Sequence, residues 1–335
     1  MSLGPEASIS DEIVAPTDDA AVERNAGENA IAGRSLKQIA WRRLKKDRVA
    51  VGGGIVIIVL IIIAIIAPLL IKWLGHPFDE LHNDTIDTNT GLPFGRLGGI
   101  SSKYLLGVEP TNGRDILSRI VYGSQTTLTV AFLSAFLSTI LGVLFGLTAG
   151  FVGGWVDSII SRIMDFLLAF PQLLFSIALV SVLPPTSLGL GPRWSRVFVL
   201  VVVIGFFGWP YIGRIVRGQT LSLREREFVE ASRSLGARSP RILFREMLPN
   251  LAAPILVYTT LIIPTNILTE AALSFLGVGI PPPYPSWGGM LSDAVATYRY
   301  DPMFMIVPGA MIFITVLAFN LFGDGLRDAL DPKAH

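Results

Sequence analysis

The sequence predicts an all-α integral membrane protein with six transmembrane helices. Of its 335 residues, 51% are hydrophobic and only 16% are charged, and the mean hydropathy is +0.57, which is too apolar for a soluble domain. The apolar residues form six stretches that are long enough to cross a bilayer. Lys and Arg are unevenly divided between the two sides of these stretches, with 19 on the side of the chain termini and 8 on the other. This bias predicts that both termini are cytoplasmic.

The first 50 residues divide into two parts of opposite charge. Residues 1–33 contain seven acidic residues and a single Arg, with almost no periodic apolar pattern, so we expect a disordered acidic tail. Residues 34–50 place seven Lys and Arg residues around Trp41 and Leu44. This composition predicts a basic amphipathic helix that lies on the cytoplasmic membrane surface, in contact with lipid headgroups. A nucleic-acid-binding arm is the weaker alternative, because the basic residues of the chain do not form one patch.

Residues 51–71 form the clearest transmembrane stretch, since fifteen of these 21 residues are Ile, Val or Leu. A helix of this length extends about 31 Å, which is enough to cross the hydrocarbon core. The second stretch, 126–152, contains Gly142, Gly146 and Gly150, and Gly154 follows it. This four-residue spacing permits close helix packing. The five further predicted spans are 126–152, 166–183, 197–213, 251–273 and 303–323.

These spans divide the chain into a first helix and a five-helix core. The core covers 126–323 and is separated from the first helix by a polar extracytoplasmic segment, 72–125. Apolar spacing within 116–121 predicts a short amphipathic helix at the end of that segment. On the cytoplasmic side, the core contains a long loop, 214–250, and is followed by a short tail, 324–335.

The long cytoplasmic loop has eight Arg and four acidic residues in 214–250, so it cannot lie in the bilayer. Four apolar or small residues at helical spacing predict one face of a helix. Gly236 is expected to end this helix, and Ser239 and Pro240 are expected to start a second helix that Pro249 ends. A loop whose charges only solvate it and fix the topology is the alternative. The four residues of the predicted face are Phe228, Ala231, Ser232 and Leu235.

The same loop resembles the EAA loop of binding-protein-dependent ABC importer permeases. The family pattern reads EAA, three residues, Gly, nine residues, Ile, one residue and Leu-Pro. Ser232 stands where the family has its second Ala, and Glu246 stands where it has Ile. The matching residues are Glu230, Ala231, Gly236, Leu248 and Pro249.

The resemblance implies that this loop is the coupling helix, which docks in a groove of a cytoplasmic ATPase subunit. Arg233 and Arg238 would add contacts at the rim of such an interface. The implied docking residues are Phe228, Glu230, Ala231, Ser232, Leu235, Gly236, Ala237 and Arg238.

Three further runs resemble the C-type permease of oligopeptide and dipeptide importers. They are LGVEPTNGRDILSRIVYG at 106–123, ALSFLGVGIPPPYPSWGGML at 272–291 and GDGLRDALDPK at 323–333. In the first run, Glu109-Pro110 replaces the expected Thr-Asp. Together with the loop, these runs cover nearly all of 106–333 in family order.

The resemblance also implies a fold, partners and a substrate class. The implied fold is the MetI-like permease fold of type I ABC importers, in a bacterial cytoplasmic (inner) membrane. The implied partners are a B-type permease that forms a heterodimer with this chain, two cytoplasmic ABC ATPase subunits and an extracytoplasmic substrate-binding protein. Oligopeptides or dipeptides are the implied substrates, with nickel, glutathione and oligosaccharides as alternatives for the same machinery.

The chain carries few residues that indicate catalysis or metal binding. It lacks a Walker-type phosphate loop, so we expect ATP and Mg²⁺ on the partner ATPases, and no cofactor or catalytic residue in this chain. The chain has no Cys, and its His residues are too far apart for a local ligand cluster. A metal site of His76 and His82 with Asp79, Glu80 and Asp84 is the alternative to a solvated loop.

Glu270 is the carboxylate that lies at membrane depth in the predicted spans. It could face the translocation path and meet the ammonium end of a peptide, or lie at the outer interface and be hydrogen-bonded within the fold. Thr265 and Asn266, one turn deeper, are candidates for the translocation path on the same argument.

Two other protein classes remain as alternatives. A secondary transporter would need intramembrane ionisable groups or an inverted internal repeat, and neither is evident. A membrane scaffold would not need a helix, a glycine and a second helix in its cytoplasmic loop.

Overall fold

The structure is a computed structural model that describes residues 36–74, 76–95, 97–183 and 189–331. Within these residues the chain is helical and forms no β-sheet, which confirms the predicted all-α fold. The predicted tail at 1–33 and residues 332–335 lie outside the described residues. The helices are α1 (Leu36–Lys46), α2 (Arg48–Leu74), α3 (Ile116–Val152), α4 (Gly154–Ala169), α5 (Gln172–Val182), α6 (Pro192–Arg224), α7 (Glu227–Ser234), α8 (Ser239–Phe275), α9 (Trp287–Ala294) and α10 (Met303–Leu330).

Five described helices are long and apolar enough to cross a membrane, namely α2, α3, α6, α8 and α10. The helices α4 and α5 meet at a bend of 83° and provide a sixth crossing if the pair counts as one span. The predicted span 166–183 is therefore not a single helix. Phe170 and Pro171 have extended backbone at the break, because proline disfavours a helical conformation in the residue before it and has no N–H to continue the helix.

Several helices extend beyond the apolar stretches from which they were predicted. The residues 116–121 are the first turns of α3 and not a separate helix. Asp115 starts α3, since its side chain accepts hydrogen bonds from the backbone N–H groups of Leu117 and Ser118, each at 3.2 Å. Residues 214–224 of the predicted loop belong to α6, and α10 runs through most of the predicted tail to Leu330.

The helices α3 and α6 form the central pair of the bundle, and small residues bring them together. A Cβ atom on Gly142 would lie 2.8 Å from the Cβ of Ile212, and one on Gly146 would lie 2.6 Å from the carbonyl oxygen of Gly213. Next along the helix, Gly150 packs against Thr220 in the same way. The partners advance together along both helices, so α3 and α6 run parallel. Gly142, Gly146 and Gly150 have the packing role that the sequence predicts, whereas Gly154 starts α4 and an added Cβ there would meet no atom within 4 Å.

Polar side chains join α8 to α3, and these two helices run in opposite directions. The hydroxyl oxygens of Thr139 and Thr259 lie 3.0 Å apart, and the amide of Asn266 donates to the hydroxyl of Ser134 at 2.9 Å. Because the partner number on α8 falls as that on α3 rises, these two helices are antiparallel. The pairs fix the register of the seam between them.

At the side of the bundle that carries both ends of the described chain, here called the inner side, α1 packs against the end of α10. Leu44, Ala50 and Ala329 form one buried cluster. The guanidinium of Arg43 donates to the carbonyl oxygen of Asp331 at 2.9 Å. The N-terminal basic helix is therefore fixed beside the C-terminal helix.

On the inner side of their shared contact, α3 is longer than α2. Near the opposite, outer side, Ile71 of α2 and Val121 of α3 share one cluster. Toward the inner side, α2 continues for 23 residues from Ile71 to Arg48, and α3 continues for 31 residues from Val121 to Val152. The difference of 8 residues corresponds to about 12 Å at 1.5 Å per residue.

Candidate functional site

The candidate site is the elbow, which we define as residues 227–247 between α6 and the apolar part of α8. Its first helix, α7, ends at Ser234. Gly236 then adopts a left-handed backbone with φ of +78°. The N–H of Gly236 donates to the carbonyl oxygen of Arg233 at 2.9 Å, and the N–H of Ala237 donates to that of Ser232 at 3.0 Å. The predicted glycine end of the helix is thus present in the structure.

The second part of the elbow differs from the prediction. Ser239 is the first helical residue and not the N-cap; Arg238 occupies the cap position without a side-chain hydrogen bond. A π-helical segment, Ile242–Met247, follows and leads directly into Leu248–Phe275. Pro249 therefore does not end a helix. It lies directly after the π segment, within the continuous helix α8.

A small apolar cluster anchors the elbow to the bundle. Val229, Ile242 and Met247 are fully or almost fully buried against one another, and Phe151 of α3 packs against them. Val229 is not among the predicted residues, because it lies on a side of α7 other than the predicted face. The apolar positions 242 and 247 across the glycine are the signal that could have identified it.

The predicted docking face of α7 is exposed. Leu235 is 88% exposed, although it is a large apolar side chain. Phe244, in the π segment, is a further exposed apolar side chain that the prediction did not include. Within the described chain, the predicted face is thus exposed most fully at Leu235 and only partly at Phe228, which is 37% exposed. Phe228, Glu230, Ala231, Gly236 and Arg238 are exposed, and Ser232 and Ala237 are half-buried.

Arginine side chains connect the elbow and the end of α6 to α3 and α4. The guanidinium of Arg233 lies 5.4 Å from the centre of the Phe151 ring, and that of Arg224 donates to the carbonyl oxygen of Phe151 at 3.4 Å. On α6, Arg217 binds Asp157 of α4 through two hydrogen bonds. These contacts favour movement of the elbow together with the inner ends of the helices.

The structure separates the three residues predicted for the translocation path. Glu270 is fully buried and accepts a hydrogen bond from the hydroxyl of Ser274 at 2.6 Å. Asn266 is buried in the seam with α3, whereas Thr265 is exposed. The contacts of Glu270 fit the interpretation in which it is hydrogen-bonded within the fold. A role of these residues in translocation stays a prediction.

The imidazole rings of the two histidines in the outer segment pack against each other and against an aromatic ring. His76 and His82 have ring centres 5.7 Å apart, and both contact Tyr104. Over the described part of the chain, no group of three or more His, Asp and Glu side chains is placed to hold a metal ion.

Family comparisons decide the class of this membrane protein. The family model described as the binding-protein-dependent transport system inner membrane component matches residues 142–335, which include the whole elbow. The chain belongs to this family. The N-terminal region of the permease also matches a second model, the N-terminal TM domain of oligopeptide transport permease C, over residues 35–90. The predicted family is therefore confirmed.

Individual relatives agree with this assignment. The permease is 42% identical over 294 residues to the dipeptide transport system permease protein DppC of Alkalihalophilus pseudofirmus. The matched residues cover 88% of this chain and 89% of the relative. It is equally similar, over the same shares, to the glutathione transport system permease protein GsiD of Salmonella typhimurium. The chain is thus a permease subunit of a binding-protein-dependent importer, and this class implies ATPase and substrate-binding partners.

A solved structure supports the fold. The permease matches a chain of the MetNI methionine ABC transporter in an inward-facing conformation with a TM-score of 0.51. The match covers 64% of this chain and 98% of that chain, at 18% sequence identity. The MetI-like fold expected for this multi-pass inner-membrane protein is therefore confirmed.

Proposed function

We propose that this permease forms half of the translocation path of an ATP-driven importer of short peptides, and that the elbow is its contact with a cytoplasmic ATPase subunit. Relatives named for dipeptide and for glutathione transport support the substrate class, because glutathione is itself a small modified peptide. Oligopeptides or dipeptides are the first choice. Glutathione, nickel and oligosaccharides are the alternatives.

The exposure of Leu235 carries the proposal for the elbow. Burial of a Leu side chain at an interface contributes about 1.5–3 kcal/mol, and at 88% exposure nearly all of this remains available to a partner. The opposite side of α7 is anchored through Val229. A face that is apolar, exposed and rigidly supported is suited to transmit movement from a partner into α8.

The remaining parts of the proposed importer lie on other chains. A B-type permease supplies the second half of the path, and an extracytoplasmic binding protein delivers the substrate. Two ATPase subunits bind ATP and Mg²⁺, and this chain needs no cofactor or catalytic residue of its own. Closure of the ATPase dimer moves the elbow as a lever, and the spans alternate between inward and outward access.

Replacement of Leu235 tests the elbow contact. We expect Leu235→Asp to reduce ATP-dependent dipeptide uptake by at least tenfold, because a carboxylate would have to be desolvated in the ATPase groove. Folding should be unchanged, since the side chain makes little contact within the chain. Leu105→Asp, at an exposed apolar position of the outer segment, is the control. Normal uptake and normal ATPase co-purification with Leu235→Asp would refute the proposal.

Charge reversal at Glu230 tests the motif itself. Glu230 and Glu227 are both exposed residues near the start of α7, so Lys at either position has a similar effect on the helix dipole. We expect Glu230→Lys to reduce the amount of ATPase that co-purifies with the permease. Glu227→Lys should retain more ATPase than Glu230→Lys does. Equal retention in the two variants would argue against a specific role of Glu230.

The substrate class is testable by competition. Uptake of a labelled dipeptide by the reconstituted importer, with its binding protein, should be reduced by unlabelled dipeptides. Competition by glutathione, Ni²⁺ or an oligosaccharide, with none by dipeptides, would assign the corresponding alternative.

A further inference from the structure

The turn between α3 and α4 lies directly beside the elbow. Phe151 packs against the Val229 cluster, and its ring is covered by Arg233 of α7. Immediately after it, Gly153 closes α3 by donating its N–H to the carbonyl oxygen of Ala149 at 3.1 Å. This turn and the elbow therefore form one continuous inner surface.

Two large apolar side chains on this turn are more than half exposed. Val152 is 55% exposed and Trp155 is 75% exposed. An exposed Trp with an adjacent exposed Val is typical of a contact with lipid or with another protein. The position of the turn relative to the membrane distinguishes these two occupants.

The turn lies outside the bilayer on the inner side, beyond the predicted membrane surface. The basic helix α1, with exposed Trp41 and its Lys and Arg residues, and Arg48 at the start of α2 are predicted to mark that surface. Measured along the helices from the shared contact of Ile71 and Val121, Val152 lies about 12 Å farther toward the inner side than Arg48. The headgroup layer on one side of a bilayer is only about 5–8 Å thick. The turn thus extends past the headgroups, and a protein partner is the occupant that fits.

Charge at the edge of this surface indicates what the partner presents. Arg233 has no ion-pair partner among the described carboxylates, whereas Arg224 is paired with Glu225 and Arg217 with Asp157. A partner with an apolar pocket for Trp155 and a carboxylate near Arg233 would complement this surface.

We propose that the α3–α4 turn, through Val152 and Trp155, is a second contact with the ATPase subunit that docks the elbow. The inference rests on the proposed function of the elbow. Two contacts on one partner would resist rotation of the elbow about its own axis, and would transmit movement to the α3–α6 pair as well as to α8.

Site-specific cross-linking tests both contacts in the complete transporter. The chain contains no Cys, so single Cys residues at Trp155, Leu235 and Trp73 can be joined to lysines of the ATPase by a short maleimide–succinimidyl ester. Trp73, which is 83% exposed at the outer end of α2, is the control. We expect Trp155→Cys and Leu235→Cys to yield ATPase cross-links that mass spectrometry locates at adjacent sites, and Trp73→Cys to yield none.

The outcomes separate the two proposals. Cross-linking from Leu235→Cys without cross-linking from Trp155→Cys would overturn the second contact and leave the elbow proposal intact. Cross-linking from neither position would overturn both. Quenching of Trp155 fluorescence by brominated lipid, measured against Trp155→Phe to remove its signal, would assign the turn to the membrane and also overturn the inference.

A functional measurement complements the cross-links. We expect Trp155→Ala to weaken ATPase association about tenfold, as for a truncated interface anchor, while Trp73→Ala leaves it unchanged. Both side chains are largely exposed, so both variants should elute from size exclusion like the unmodified permease. Unmodified ATPase affinity in Trp155→Ala would contradict the proposal.

Discussion

At the scale of single residues, Gly236 shows how backbone conformation alone can dictate a residue type. Its φ of +78° lies in the left-handed region, yet an added Cβ would meet no atom within 4 Å. The requirement for Gly within this chain is therefore conformational, and any steric requirement would come from a docked partner.

Substitutions at Gly236 can separate these two requirements. We expect Gly236→Ala to destabilise the elbow by about 1–2 kcal/mol, the cost of a left-handed residue with a Cβ. Gly236→Asn should cost less, because Asn tolerates this conformation. Hydrogen exchange at 229–241 would measure the difference. If Asn restored a rigid elbow but not transport, close approach of the ATPase would be the reason; equal exchange in all three proteins would contradict the conformational argument.

The sequence predicts the residues of the elbow better than their contacts. The end of α7 follows from Gly236, and the grouping of Phe228, Ala231 and Leu235 on one face follows from their spacing. The burial of Val229 could not be predicted, because its partners Ile242 and Phe151 come from other elements. Within a short charged helix, the spacing alone does not show which side faces the protein.

At the scale of elements, the α3–α6 pair shows how small residues determine helix separation. Glycines on α3 allow backbone contact along the inner half of both helices. A parallel pair with such contacts should move as one unit, because any increase in separation would lose packing along the whole seam.

This packing predicts different effects for two glycine substitutions. We expect Gly146→Ala to lower the melting temperature in detergent by several degrees, because its Cβ would approach the Gly213 carbonyl oxygen to 2.6 Å, and overpacking costs about 1–3 kcal/mol. Gly218→Ala, on α6 with open space around it, should leave the melting temperature unchanged or raise it, since Ala favours helix. Equal melting temperatures for both variants would contradict the seam.

The sequence also predicts helices better than bends. No charged residue interrupts 166–183, so the composition predicts one span, whereas the backbone turns at Phe170-Pro171. Proline alone is not a sufficient signal, because Pro210 and Pro264 lie inside α6 and α8 without ending them. Whether neighbouring helices support the freed carbonyls depends on tertiary packing.

At the scale of the whole molecule, the bundle has one side with loops of irregular structure and one side with the elbow and both ends of the described chain. The cation bias predicts that the elbow side is cytoplasmic. The proposed ATPase contacts require the same orientation, since ATP is cytoplasmic.

Cysteine labelling tests this orientation directly. We expect a membrane-impermeant maleimide to modify Ser102→Cys in intact spheroplasts, and Ser234→Cys only after permeabilisation, because these exposed positions lie on opposite sides of the bundle. The unmodified chain, which lacks Cys, is the background control. Labelling of Ser234→Cys in sealed cells would reverse the topology and refute both ATPase contacts.

The contact between α1 and the end of α10 has a practical consequence for engineering this protein. Since Arg43 reaches the carbonyl oxygen of Asp331, sequences joined to a shortened chain that begins at Leu36 and ends at Asp331 would emerge close to one another. Complementary halves of a split fluorescent reporter fused at Leu36 and Asp331 should therefore assemble within one molecule. A short linker between these two residues would equally permit circular permutation, with new termini opened in an exposed outer loop.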